Sequence, residues 1–223
     1  MKTYQRIIFA TFLATSTLIA AQEPPLLFEQ VDQFTLIWSA RGTGGEHEGA
    51  YYKPIAPPGY HILGHYGQGN YGTPDGFSVV VKEKYANGNP ALKRPEKYEE
   101  IWADFGSGAQ RDGAFWQPIP PEGYKCLGIV VTPNYKKPST NEIRCVRDDL
   151  TTQGKIGQLI WNDSKTAVWF RDFGSWRIEP ANPQKGKSVG TFYGHASQQP
   201  PSSIELRSTE LRVLNSSQIR LEQ

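Results

Sequence analysis

The chain has 223 residues, four histidines and a formal charge of +2 from 24 basic and 22 acidic side chains. So even a balance excludes the electrostatic footprint of a nucleic-acid binder, and equally a charge-rich disordered protein or an acidic tail. Glycine (22) and proline (17) together exceed the roughly 12% share of ordinary domains, beside 6 Trp, 11 Tyr and 10 Phe; dense punctuation with so much large apolar surface reads as all-β.

The first element is a leader. Lys2 and Arg6 precede an apolar stretch from Ile7 to Ile19, and Ile19-Ala20-Ala21 ends it with small residues. This is the pattern of a secretory signal peptide, residues 1–21, with 22–223 as one mature domain. Thr11, Thr15, Ser16 and Thr17 interrupt the stretch, whereas a membrane span needs about 18–20 apolar residues. No later stretch is long enough, so no transmembrane segment is expected. In an oxidising compartment the only two cysteines, Cys126 and Cys145, are expected to pair as a disulfide. Asn162-Asp163-Ser164 and Asn215-Ser216-Ser217 are acceptor tripeptides for N-linked glycosylation.

The mature chain then repeats itself. Ile37-Trp38, Ile101-Trp102 and Ile160-Trp161 lie 64 and then 59 residues apart. Glu48-Gly49-Ala50-Tyr51-Tyr52-Lys53-Pro54-Ile55 matches Asp112-Gly113-Ala114-Phe115-Trp116-Gln117-Pro118-Ile119 without a gap. Pro57-Pro58-Gly59-Tyr60 matches Pro120-Pro121-Glu122-Gly123-Tyr124 with one insertion. A third copy keeps Asp172-Phe173-Gly174-Ser175-Trp176, but Pro180-Ala181-Asn182-Pro183 replaces its Pro-Pro-Gly-Tyr turn. The three copies cover about 32–90, 95–152 and 157–214.

Each copy reads as four strands, in the second roughly 98–103, 114–119, 124–132 and 142–147, separated by Gly-rich loops and Pro-Pro turns. A single copy cannot bury its one apolar face alone; three can close around an axis. The expected fold is a β-prism-like array of three four-stranded pseudo-repeats, with a β-trefoil or β-sandwich as alternatives. If Cys126 on the third strand faces Cys145 on the fourth, the disulfide joins neighbours in one sheet.

The string Ile101-Trp102-Ala103-Asp104-Phe105-Gly106-Ser107-Gly108-Ala109, Asp112-Gly113-Ala114-Phe115-Trp116-Gln117-Pro118-Ile119-Pro120-Pro121, Gly123-Tyr124 and Arg144-Cys145-Val146-Arg147-Asp148-Asp149-Leu150 resembles the vacuolar protein sorting sixty-two family of fungi and plants. The Pro-Pro-Gly-Tyr turn is also similar to that of the multivesicular-body-associated β-prism, a module that binds acidic membranes. The resemblance implies a non-catalytic β domain connected with delivery of proteins to the vacuole, and it carries over no catalytic residue.

The chemistry-bearing residues agree with a binding role. His61 and His65 align with Lys125 and Ile129, ordinary strand positions, and His47 beside Glu46 and Glu48 is a poor metal set. No catalytic residue, metal site or cofactor is therefore expected. Asp104 and Asp112 bracket a loop, where Asp accepts backbone N–H groups. With Gly106, Ser107 and Gly108 they form one candidate ligand-binding loop, able to hold an anionic headgroup or sugar hydroxyl. Trp169 between Val168 and Phe170 is a second candidate, suited to a sugar ring or a membrane interface. The recurring tryptophans are either a packed centre or a binding platform. The expected function is recognition of cargo protein, glycan or membrane lipid in the secretory-to-vacuolar route, with the chain either secreted or in the lumen of the endomembrane and vacuolar system. The alternative is a secreted lectin or toxin-like effector.

Overall fold

The computed structural model describes residues 23–84, 88–168, 171–202, 205 and 210–222. The leader and Trp169 lie outside the described residues.

The fold is all-β. Its described strands are β1 (Leu26–Val31), β2 (Phe34–Ser39), β3 (Ala50–Pro54), β4 (His61–Ile62), β5 (Tyr66–Gln68), β6 (Ser78–Glu83), β7 (Leu92–Lys93), β8 (Lys97–Ala103) and β9 (Ala114–Ile119). They continue with β10 (Tyr124–Lys125), β11 (Val130–Thr132), β12 (Cys145–Arg147), β13 (Thr151–Asn162), β14 (Gly174–Pro180), β15 (Gly186–Lys187), β16 (Phe192–His195), β17 (Arg212–Asn215) and β18 (Ile219–Leu221).

Equivalent hydrogen bonding recurs three times. β2-β3-β5, β8-β9-β11 and β13-β14-β16 are antiparallel runs with the middle strand shared. A second set, β1-β6-β4, β7-β12-β10 and β13-β17-β15, lies beside them. The expectation of one continuous four-stranded sheet per copy is corrected here. The third strand divides, at Leu63-Gly64 in the first copy and Leu127-Gly128 in the second, and its halves join different sheets. The break has a steric cause. A Cβ on Gly64 would lie 2.9 Å from the Thr191 methyl and 3.1 Å from Gly128 Cα, so the broken strands crowd one another. His65 N donates to Ile129 O (2.9 Å) and Ile129 N to Phe192 O (3.2 Å), tying the copies together there. At the chain's far end β18 adds parallel to β1, pairing Leu26 with Ile219.

The Ile-Trp pairs make the centre. In each β2–β3, β8–β9 and β13–β14 ladder the register slips just before the tryptophan, so that Ile37, Ile101 and Ile160 are extra residues. A bulge of this kind bends and twists its strand. Trp38, Trp102 and Trp161 are fully buried, with ring centroids 5.2–5.7 Å apart and near-perpendicular planes. Edge-to-face contact is the favoured geometry for such rings. Burying each is worth about 4–6 kcal/mol of gross transfer energy. The recurring tryptophans are therefore core and not a binding platform.

Neighbouring copies fit into this triangle. Trp38 lies on Gly113 and Trp161 on Gly49, where an added Cβ would come within 2.3 and 2.6 Å of the indole. Phe173 takes the equivalent place in the third copy, and Trp102 stacks on it at 5.5 Å. The disulfide Cys126–Cys145 forms, one residue beyond the Lys125–Val146 pair of β10 and β12.

Candidate ligand-binding site

The β2–β3, β8–β9 and β13–β14 loops gather at one end. Gln110 N donates to Arg41 O (2.8 Å) and Glu46 N to Ser164 O (3.1 Å). A Cβ on Gly42 would sit 2.6 Å from Gly108 O, which explains glycine there. All three loops share one internal construction. Thr43, Ser107 and Thr166 each donate their N–H to the carbonyl of the residue three earlier, Ala40, Asp104 or Asp163. Their hydroxyls accept from Gly45, Ala109 and Val168 N.

Most of the sequence-predicted loop residues serve this construction. Asp104 is 4% exposed; its Oδ1 accepts from Gly113 N (3.0 Å), and its Oδ2 from Trp38 Nε1 (3.2 Å) and Ser107 Oγ (3.4 Å). Ser107 is buried, and Gly108 faces Gly42 O. The carboxylate thus joins the second loop to the first copy's central tryptophan. Asp163 takes the same place in the third copy: its Oδ1 accepts from Phe173 N (3.1 Å), while its Oδ2 and Trp102 Nε1 are buried without a hydrogen-bond partner among the described residues. Burial, the dominant influence, raises the Asp163 pKa. Ala40 has no carboxylate to offer, so Trp161 Nε1 donates to His47 O instead (3.1 Å).

Asp112 and Gly106 are exposed, and here the structure adds two residues that residue chemistry alone did not select. Phe105 is 47% exposed and stacks on Tyr135, centroids 3.9 Å apart and planes 28° from parallel. The Tyr135 hydroxyl donates to Asp112 Oδ1 (3.2 Å). Burial first, then Asp104 and Asp112, push its pKa up, so it stays a protonated donor. The available signal was positional: Asn70-Tyr71 recurs as Asn134-Tyr135 after the third strand.

The corresponding places in the other copies differ. In the first, Arg41 lies over the Tyr71 ring at 4.2 Å. In the third, Ser164 and Gln198 stand there, and Gln198 Nε2 donates to Asp172 Oδ1 (3.3 Å). The link from this strand end to the loop carboxylate is common to copies two and three; the exposed aromatic pair belongs to copy two.

Elsewhere, His65 is 1% exposed, accepts from Val131 N through Nδ1 (3.1 Å), and faces Glu142 Oε1 through Nε2 (3.3 Å). Its Nε2 therefore carries the proton. Burial lowers the His65 pKa, while His65, ahead of Lys53, holds the Glu142 carboxyl down at about 2. Among the described residues no three His, Cys, Asp or Glu side chains cluster as a metal would require. Both acceptor tripeptides form the same turn, with Asn162 Oδ1 accepting from Ser164 and Asn215 Oδ1 from Ser217. Asn162 is buried and its Nδ2 donates to Gln198 O (3.2 Å), whereas Asn215 is half-buried.

Residues 21–222 match the family described as Vacuolar protein sorting-associated protein 62, Vps62. The chain belongs to the Vps62 family. No curated protein matches this Vps62-family chain. Among solved structures it is similar to the crystal structure of GNIP1Aa from Chromobacterium piscinae, with 25% identity and a TM-score of 0.77. The match covers 90% of this chain and 39% of that one, so the chain spans well under half the length of GNIP1Aa. No described helix is long and apolar enough to cross a membrane.

Proposed function

We propose that this Vps62-family chain is a non-catalytic recognition domain of the secretory-to-vacuolar route, a β-prism-like array of three pseudo-repeats that grips its ligand with the gathered loop end. One observation carries the reading. The three loops are locked by the same internal hydrogen bonds onto one rigid aromatic centre, yet differ at the equivalent position: exposed Arg41, exposed Phe105 and half-buried Ser164. A fixed scaffold with variable tips is the layout of binding proteins, in which loops carry function and the core holds them still. The family's name and the Cys126–Cys145 disulfide support a lumenal or extracellular setting. The non-catalytic reading is supported by the closest histidine–carboxylate pair described, His65–Glu142, having its imidazole buried and its carboxylate already taken up by His65 and Lys53.

The test is a paired screen of the full mature chain, on a glycan array and on phosphatidylserine vesicles. Saturable binding to one class is expected. Silence on both, or substrate turnover that disappears in Glu142→Gln, would overturn the reading.

A further inference from the structure

We propose that Phe105, Tyr135 and Asp112 form a saccharide-binding site, the only one of the three equivalent loop positions described that is open to a sugar ring. The inference rests on the recognition role above and names its ligand class. A pyranose offers an apolar C–H face for stacking and hydroxyl edges for hydrogen bonds. Phe105 supplies the stacking surface: it lies on Tyr135, is 47% exposed, and is followed by Gly106, where even an added Cβ would meet open space. Asp112 supplies the acceptor. Its Oδ1 takes the Tyr135 hydroxyl, which fixes the carboxylate beside the ring pair and leaves Oδ2 for a sugar hydroxyl.

Comparison of the copies separates this site from ordinary loop structure. The strand-end donor on the loop carboxylate recurs as Gln198 on Asp172, so that bond by itself is a latch. Phe105 has no part in the latch; Ser164 replaces it in the third copy, where the latch persists. In the first copy the Arg41 guanidinium covers the Tyr71 ring, so the platform there is occupied from within. Exposed Arg111, Lys136 and Lys137 flank the second-copy site. They favour a saccharide whose acidic group lies toward these side chains and whose hydroxyls face Asp112.

The experiment is a glycan array followed by titration of the best-binding free oligosaccharide into the mature chain, the Phe105→Ala and Asp112→Asn variants, and, as a control, Lys97→Ala at the exposed start of β8, away from the loop end. Phe105→Ala is expected to bind about tenfold more weakly, the share that one aromatic stacking contact contributes. Asp112→Asn should weaken binding by a similar factor, and Lys97→Ala should not change it. Near-UV circular dichroism of the tryptophan centre verifies that each variant is folded. Glycan binding that survives Phe105→Ala overturns this site but leaves the recognition role standing. Binding to phosphatidylserine vesicles with no glycan hit overturns the saccharide class alone. Silence on both overturns the two together.

Discussion

Replacing Asp104 by alanine should destabilise the fold far more than it weakens any ligand. The carboxylate receives three protein donors: Gly113 N–H at 3.0 Å, the Trp38 indole at 3.2 Å and the Ser107 hydroxyl at 3.4 Å. Trp38 and Gly113 are buried, so two of those donors lose their only acceptor away from water. A buried donor left unpaired costs about 1–3 kcal/mol, and the carboxylate's own burial penalty, relieved on truncation, offsets part of the sum. The expected loss is about 3–4 kcal/mol for Asp104→Ala, and about 2 kcal/mol for Asp104→Asn, which keeps one acceptor oxygen. Ala40 shows why alanine is tolerated in the first copy: the indole that would need it, Trp161, has the His47 carbonyl at 3.1 Å. Urea unfolding followed by tryptophan fluorescence measures the difference. A midpoint for Asp104→Ala within about 1 kcal/mol of the parent would refute the reasoning and return Asp104 to the list of groups free to hold a ligand.

Three further outcomes are expected. Gly113→Ala places a Cβ 2.3 Å from Trp38 and should cost about 3 kcal/mol or more, whereas Gly106→Ala, with φ of +73° but open space around it, should cost about 1 kcal/mol; thermal unfolding of the pair separates crowding from backbone strain. Removing the disulfide by Cys126→Ala with Cys145→Ala frees a loop of 19 residues and should lower stability by about 3 kcal/mol in denaturant titration, and no change would mean the strand pairing alone sets that corner. Stability should fall as pH drops, in two stages. His65 has a depressed folded pKa, so the unfolded chain takes up the extra proton below about 6.5; Glu142, folded pKa about 2 against 4.5, adds a second loss between those values. Screening of the partly exposed carboxylate holds that second stage to about 1–2 kcal/mol. Denaturation midpoints for the parent and Glu142→Gln at pH 7, 5 and 3 test it, and a parent whose midpoint rises in acid would contradict the sign.

The candidate site was only partly legible in the chain. The loop 104–113 was found, because Gly and Asp at fixed places are turn chemistry readable without coordinates. Asp104, Ser107 and Gly108 looked no different from ligand groups, since sequence does not say whether a polar atom's partner is protein or solvent. Phe105 and Tyr135 are 30 residues apart, and only the folding of one loop over another makes them a single surface.

The sequence by itself determined the all-β class, the recurrence of Ile-Trp, the pairing of Cys126 with Cys145 and the position of the turns, because these follow from local propensity and from the counting of repeats. Tertiary structure decided the rest. It made the isoleucine of each Ile-Trp a bulge residue, split the third strand between two sheets, and sent the Trp38 and Trp161 indoles to neighbouring copies for their partners. The physical reason is range: a turn is fixed by a few adjacent dihedrals, but whether an indole N–H meets a carboxylate 66 residues away depends on every element that packs between them.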